Sequence, residues 1–260
     1  MIGKRTLLLI GAFAALRSAA TGSATSKDLS DVDAHTDWPI SIDTTFSSRY
    51  IWRGITLVDD PVFQPSITTS YEGLTLSIWG TMELTNSNDQ LGEFTEIDYV
   101  AEYTWSWNEL NVSAGVVHYQ FPNIGPPTTT ELYGGLCLAT FRAPSLTVYQ
   151  DVDQADGRYA ALSMSHTFER VWVLADGTVI SINLSGAIGC GSSNFNDFYY
   201  GYDEAAFTDA LISAGLPITI GNCWTLTPSV SYSTLLDGGI RNPIGRDDNV
   251  FGGLTVSCAF

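Results

Sequence analysis

The sequence predicts an all-β protein, a transmembrane antiparallel up-and-down β-barrel of about 12 strands. Three observations carry that expectation. Apolar and polar residues alternate through a series of short segments, the period-2 signature of strands with one apolar face. Tight turns alternate with longer connections rich in Asn, Asp, Gly and Pro, as in a barrel with short turns at one end and loops at the other. The last segment places Val250, Leu254, Val256, Cys258 and Phe260 on one face and Phe251, Thr255, Ser257 and Ala259 on the other, and it ends the chain on an aromatic residue.

Taken in order, Lys4 and Arg5 precede an apolar run from Leu7 to Leu16, and Ser18, Ala19 and Ala20 follow. These features read as a secretory signal peptide over residues 1–20. Residues 21–37 are a polar stretch, expected as a flexible periplasmic lead-in. Downstream there is no apolar run of about 18 residues, so a membrane-spanning helix is not expected, and a membrane-inserted chain would have to be a barrel over residues 38–260.

The first alternating segment is Ile40 to Gly54, with Ile40, Ile42, Phe46, Tyr50 and Trp52 on one face and Asp43, Arg49 and Arg53 on the other. Next come Val62 to Tyr71, Leu74 to Leu84, Phe94 to Trp107, Leu110 to Phe121, Thr128 to Phe141 and Leu146 to Val152. Arg158 to Phe168, Thr178 to Gly189, Phe207 to Leu216, Trp224 to Leu235 and Val250 to Phe260 complete the set, with Val171 to Leu174 a candidate strand extension and Asp203 to Ala206 a candidate helix. Two segments show the parity well. Leu74, Leu76, Ile78, Met82 and Leu84 alternate with Thr75, Ser77, Trp79, Thr81 and Glu83, and Ile180, Ile182, Leu184 and Ile188 alternate with Val179, Ser181, Asn183 and Ser185.

Short turns are expected at Glu72 with Gly73, Asn108 with Glu109 and Arg142 to Ser145; Glu169 to Gly177 and Pro217 to Cys223 are longer than the pattern requires. With this parity, Tyr50, Trp52 and Phe63 point outward near the loop end, and Tyr71, Trp105, Trp107, Trp224 and Phe260 near the turn end. Such an arrangement suggests two interfacial aromatic girdles.

The mean hydropathy of +0.09 suits either a barrel whose lipid face and lumen cancel or a soluble all-β domain. The net charge is −17, and losing the three cations Lys4, Arg5 and Arg17 with the signal takes it to −20, which excludes nucleic acid as a partner. His118 and His166 have no Cys or carboxylate at metal-ligand spacing, so no metal and no cofactor is predicted. Ser163 and Ser165 lack a fixed base, and no catalytic residues are assigned. Of the four cysteines only Cys223 and Cys258 fall close together, near the turn end of the last two strands. Their inferred parities differ, which argues against a disulfide.

Several motifs also carry a family resemblance. These are Ser48-Arg49-Tyr50-Ile51-Trp52-Arg53-Gly54, Pro61-Val62-Phe63-Gln64-Pro65-Ser66, Trp79-Gly80, Glu96-Ile97-Asp98, His118-Tyr119-Gln120-Phe121-Pro122, Thr130-Glu131-Leu132-Tyr133 and Asp151-Val152-Asp153. In that order, from about Ser47 to Phe260, the chain resembles the TorF-type porin family. The resemblance implies a small outer-membrane barrel and carries over no catalytic residues.

Three functional classes remain: a passive channel in the bacterial outer membrane, a barrel enzyme acting on lipid, and a secreted β-sandwich binding module. The channel is the leading expectation. Its partners are outer-membrane lipid, the barrel-assembly machinery through the strand ending in Phe260, and small solutes or ions. About twelve strands spaced about 4.8 Å apart and tilted about 40° enclose a cylinder roughly 24 Å across, which side chains narrow to about 10 Å or less. Inward parity assigns Arg49, Arg53, Glu83, Glu96, Asp98, Glu131 and Asp151 as pore-lining, with the two arginines facing the carboxylates across a constriction. The acidic excess favours cations.

Overall fold

The computed structural model describes residues 38–221, 223–244 and 248–260; the expected signal peptide (1–20) and lead-in (21–37) lie outside the described residues. The wall begins with β1 (Ile40–Ser47), after which β2 (Tyr50–Trp52) and β3 (Ile55–Val58) form a separate hairpin. It continues through β4 (Val62–Tyr71), β5 (Leu74–Glu83), β6 (Phe94–Trp107), β7 (Leu110–Gln120), β8 (Thr129–Leu138), β9 (Ser145–Asp151), β10 (Arg158–Val173) and β11 (Val179–Gly191). A helix, α1 (Ser193–Tyr200), precedes β12 (Ala206–Gly215) and the short β13 (Ile218–Ile220). Then come β14 (Trp224–Leu235), α2 (Gly238–Ile244) and β15 (Asp248–Ala259).

Each wall strand pairs antiparallel with its neighbours, and β1 pairs with β15 from Ser41↔Ala259 to Ser47↔Gly253, so the sheet closes. β13 resumes the path of β12 beyond Leu216 and Pro217, where the ring removes a ladder donor, and it too pairs with β11 and β14. Counting β12 and β13 as one interrupted strand gives twelve wall strands in a closed up-and-down barrel. Closure excludes the sandwich, which needs two sheets with free edges.

Alternation explains the wall. Ile42, Phe46, Ile67, Leu76, Ile78, Leu132, Leu136, Leu162, Met164, Leu184 and Ile188 are all exposed on the outer face, where an apolar surface is stable only against lipid. The inner face of the turn-end half is lined with small hydroxyl side chains that pair across strands. Thr68 with Ser77 (2.9 Å), Ser145 with Ser163 (2.6 Å) and Ser213 with Ser231 (2.8 Å) are examples. Tyr71, Trp105, Trp107, Trp224 and Phe260 are exposed at the turn end, as the girdle reading expects.

Four details depart from the sequence reading. Tyr50 and Trp52 are buried inside the barrel rather than outward, because the wall strand stops at Ser47 and the alternating residues after it belong to the hairpin. Residues 203–205 are not helical; the helix lies earlier, at Ser193–Tyr200, capped by Ser192 and ended by Gly201 with φ 69°. The two connections that looked too long are partly strand, since β10 extends to Val173 past an irregularity at Arg170 (φ 54°) and β13 occupies the other. Cys223 and Cys258 form a disulfide with Cα atoms 4.8 Å apart. Cys223 sits in the turn before β14, so strand parity does not govern where its side chain points.

Candidate functional site: the loop-end lumen

The connection between β1 and β4 folds inward and packs against the wall in the loop-end half of the lumen. Its hairpin turns at Arg53 and Gly54, both with positive φ (44° and 82°), as a two-residue turn matched to strand twist requires. A Cβ at Gly54 would meet Leu235 Cδ2 at 2.5 Å, so the absence of a side chain lets the tip reach the wall. Arg53 adopts a conformation that L-residues disfavour, and its side-chain contacts hold it there.

Those contacts are dense. Arg53 Nη1 and Nη2 donate to Glu131 Oε1 and Oε2 at 2.8 and 2.9 Å, a bidentate pair with side-chain exposures of 0% and 1%. The guanidinium carbon lies 4.0 Å from the Tyr159 ring centroid and within 4.6 to 5.2 Å of the Trp52, Tyr149 and Phe195 rings. Tyr119 Oη donates to Glu131 Oε2 at 2.7 Å, and Tyr200 Oη donates to the Arg53 carbonyl at 2.7 Å. Burial opposes charge on Arg53, but the Glu131 carboxylate overrides it and holds the guanidinium above its ordinary pKa. Burial also pushes the Tyr199 and Tyr200 phenols well above their usual value, so both remain neutral donors.

α1 seals this plug from the side. Phe195 packs on Trp52, Tyr159 and Tyr199, and a side chain at Gly157 would collide with the Phe195 backbone. Tyr199 Oη donates to Asp151 Oδ2 at 3.2 Å, and Thr129 Oγ1 donates to the same oxygen at 2.9 Å. Ile240 of α2 is fully buried in the same cluster.

Six of the seven predicted pore-lining residues, Arg53, Glu83, Glu96, Asp98, Glu131 and Asp151, are buried; Arg53 meets Glu131 and Glu96 meets Asp98, whereas Glu83 pairs with Asn88 of the β5–β6 loop. Arg49 is not among them. It stands at the rim, with Nε 2.6 Å from Asp59 Oδ1 and Nη1 donating to the Val250 carbonyl at 3.0 Å. The two arginines therefore do not face carboxylates across a gap: Arg53 contacts Glu131 directly, and Arg49 pairs within its own loop. Sequence reasoning missed Asp209, whose Oδ1 accepts from Thr208 Oγ1 at 2.7 Å and Tyr159 Oη at 3.0 Å, and it missed the aromatic half of the plug. Many of the buried residues, including Tyr50, Trp52, Arg53, Trp79, Glu96, Asp98, Tyr119, Glu131 and Asp151, come from the motifs that carry the family resemblance.

The candidate hydrolytic residues do not meet. Leu162 and Met164 point outward, so Ser163 and Ser165 line the lumen, whereas His166 stacks outside on Phe141 and Phe168. His118 has Thr130 Oγ1 3.1 Å from its Nδ1, on the outer face.

No family model and no curated protein matches the chain. Solved structures do match in fold. A KdgM porin superposes with a TM-score of 0.53 at 13% identity, over 85% of this chain and 99% of that one. A KdgM porin in complex with disordered oligogalacturonate gives 0.50 at 13%, over 85% and 98%. LpxR from Salmonella typhimurium gives 0.52 at 8%, over 85% and 99%. At these identities the likeness is one of fold.

Proposed function

We propose that the chain is a porin-like channel of the bacterial outer membrane, passing ions or small solutes passively with a modest preference for cations. The observation that carries this reading is the interior itself. Behind an apolar outer wall lie hydroxyl-lined walls and, among the described residues, six buried carboxylates against one buried guanidinium. A porin fold with that lumen favours cations or neutral solutes. The KdgM porin that was solved with oligogalacturonate met a polyanion; the acidic lumen here carries the opposite preference. The motif resemblance to TorF-type porins supports the same class. The inward hairpin narrows the path, so unitary conductance is small.

A lipid-hydrolase reading draws no support from the candidate residues, since Ser163 and Ser165 lie on the opposite face of the wall from His118 and His166. The test is a planar-bilayer recording of purified protein under a salt gradient. The expected reversal potential has the sign of cation preference and moves toward zero in Glu96→Gln/Asp98→Asn. Absence of conductance, an anion preference, or a selectivity unmoved by those substitutions refutes the reading.

A further inference from the structure

Charge accounting in the lumen leaves one gap. Of the six buried carboxylates, Glu131 is paired with Arg53 and Glu83 Oε2 accepts from Asn88 Nδ2. Asp151 accepts from Thr129, Tyr199 and the backbone N–H groups of Asp153 and Gln154, and Asp209 accepts from Thr208 and Tyr159. Glu96 and Asp98 differ. Glu96 Oε2 accepts from Tyr50 Oη at 3.0 Å, and Glu96 and Asp98 meet each other, but Glu96 Oε1 and both oxygens of Asp98 are buried and receive no donor from any other residue. Two buried carboxyls that meet only each other must share either a proton or a cation.

A third oxygen donor of different chemistry lies beside them. Thr81 is 1% exposed, and its Oγ1 also lacks a partner. The β5–β6 register sets Thr81 opposite Glu96 and Trp79 opposite Asp98, all four on the inward face. Directly opposed residues hold their Cβ atoms about 4.5–5.5 Å apart, which sets Thr81 against Glu96, and Asp98 lies two residues along β6 on the same face, diagonal to Thr81, so the hydroxyl and both carboxyls border one volume. A register shift immediately follows Thr81, the kind of irregularity that re-aims a side chain. Neither nearby arginine is available, since Arg53 is bound to Glu131 and Arg49 to Asp59.

We infer that Thr81 Oγ1, Glu96 Oε1 and the Asp98 carboxylate form a site for a hard divalent cation, calcium in particular. An all-oxygen donor set with no imidazole or thiolate selects calcium or magnesium over zinc or copper. Two carboxylates supply the charge that a divalent ion neutralises. Donors spread over two strands of a fixed sheet do not make an octahedron; calcium accepts irregular shells of six to eight oxygens, with water completing them, whereas magnesium does not. The sequence reading predicted no metal because it weighed ligands around His118 and His166; Glu96 and Asp98 stand in one motif of β6, and Thr81 joins them only through cross-strand register. The site stands whether or not the barrel conducts, and its test reads binding rather than current.

The protein is refolded from urea into detergent with a chelator, and terbium is added as a luminescent substitute for calcium. Excitation of tryptophan is expected to give sensitised terbium emission, since Trp79 lies beside the site. Calcium should displace the terbium with a midpoint on the order of 10⁻⁴ M, and magnesium only at much higher concentration. Glu96→Gln/Asp98→Asn should abolish the signal, while Asp43→Asn, an inward acid in the turn-end half, should leave it intact. Heat-modifiable gel mobility reports whether each variant is folded. Should the double variant not fold, Thr81→Val serves in its place, with calcium affinity expected to weaken at least about threefold. No sensitised emission from the folded native barrel, emission that survives the double substitution, or a Thr81→Val affinity equal to native overturns the inference.

Discussion

Replacing Arg53 by Gln removes the charge that the β2–β3 hairpin carries into the barrel and leaves Glu131 buried without its partner. The pair is bidentate and shielded from water at both ends, so the weak energies of surface ion pairs do not apply. Removing one member of such a pair costs about 3–5 kcal/mol, and loss of the surrounding ring contacts adds about 0.5–2 kcal/mol. No compensating relief arises, because Gln at this position keeps the same positive φ. Together these come to about 3.5–7 kcal/mol, so at about 1.4 kcal/mol per tenfold the undocked fraction of the hairpin should rise on the order of 300- to 100,000-fold. Limited thermolysin digestion of the folded barrel reads this directly, since cleavage near Ile55 and Leu57 follows the equilibrium population of the open form. Glu131→Gln should behave similarly, and Arg53→Gln/Glu131→Gln should be less open than the two single effects predict together. Digestion of both single variants within about threefold of native, or simple additivity in the double variant, would refute the latch.

The remaining predictions concern assembly and covalent structure. Thiol labelling of the unreduced, denatured protein should modify Cys137 and Cys190 and spare Cys223 and Cys258, and labelling at all four would remove the disulfide from the fold. Joining residues 35 apart constrains the unfolded chain by about 4 kcal/mol, so reductant should lower the unfolding midpoint, measured by loss of heat-modifiable mobility. Deleting Phe260 should reduce the folded yield in the outer membrane while leaving the midpoint of the folded fraction nearly unchanged. That residue is 73% exposed and is tied to the barrel by its backbone N–H to the Ile40 carbonyl, so an unchanged yield counts against an assembly role.

The wall was legible in the sequence because period-2 alternation maps directly onto a sheet with one face in lipid. Val62 to Tyr71, Phe94 to Trp107 and Trp224 to Leu235 coincide with β4, β6 and β14, and Glu83, Glu96, Asp98, Glu131 and Asp151, which parity assigns to the inner face, are buried. The plug was hidden by the same signal. Tyr50, Ile51 and Trp52 continue the alternation of β1, so periodicity alone does not distinguish a wall strand from a hairpin folded inside the wall. The Arg53-Gly54 pair between apolar residues was the available turn signal. Side-chain pairing was not legible, because whether Arg53 meets Glu131 or another carboxylate depends on how far a loop descends into the lumen.

The two free cysteines give this barrel an internal ruler. Cys137 alternates with the exposed Leu136 and Leu138 and therefore faces the lumen near the turn end, whereas Cys190 pairs across the strands with Ala160 and the exposed Phe207 on the outer wall. A membrane-impermeant maleimide can reach only the first, and a lipid-soluble one partitions to the second. The native protein can thus report water access from the turn end and insertion into lipid as two separate signals. Closing one compartment to the reagent then reveals which side of the bilayer the turns occupy, with no engineered label in the chain.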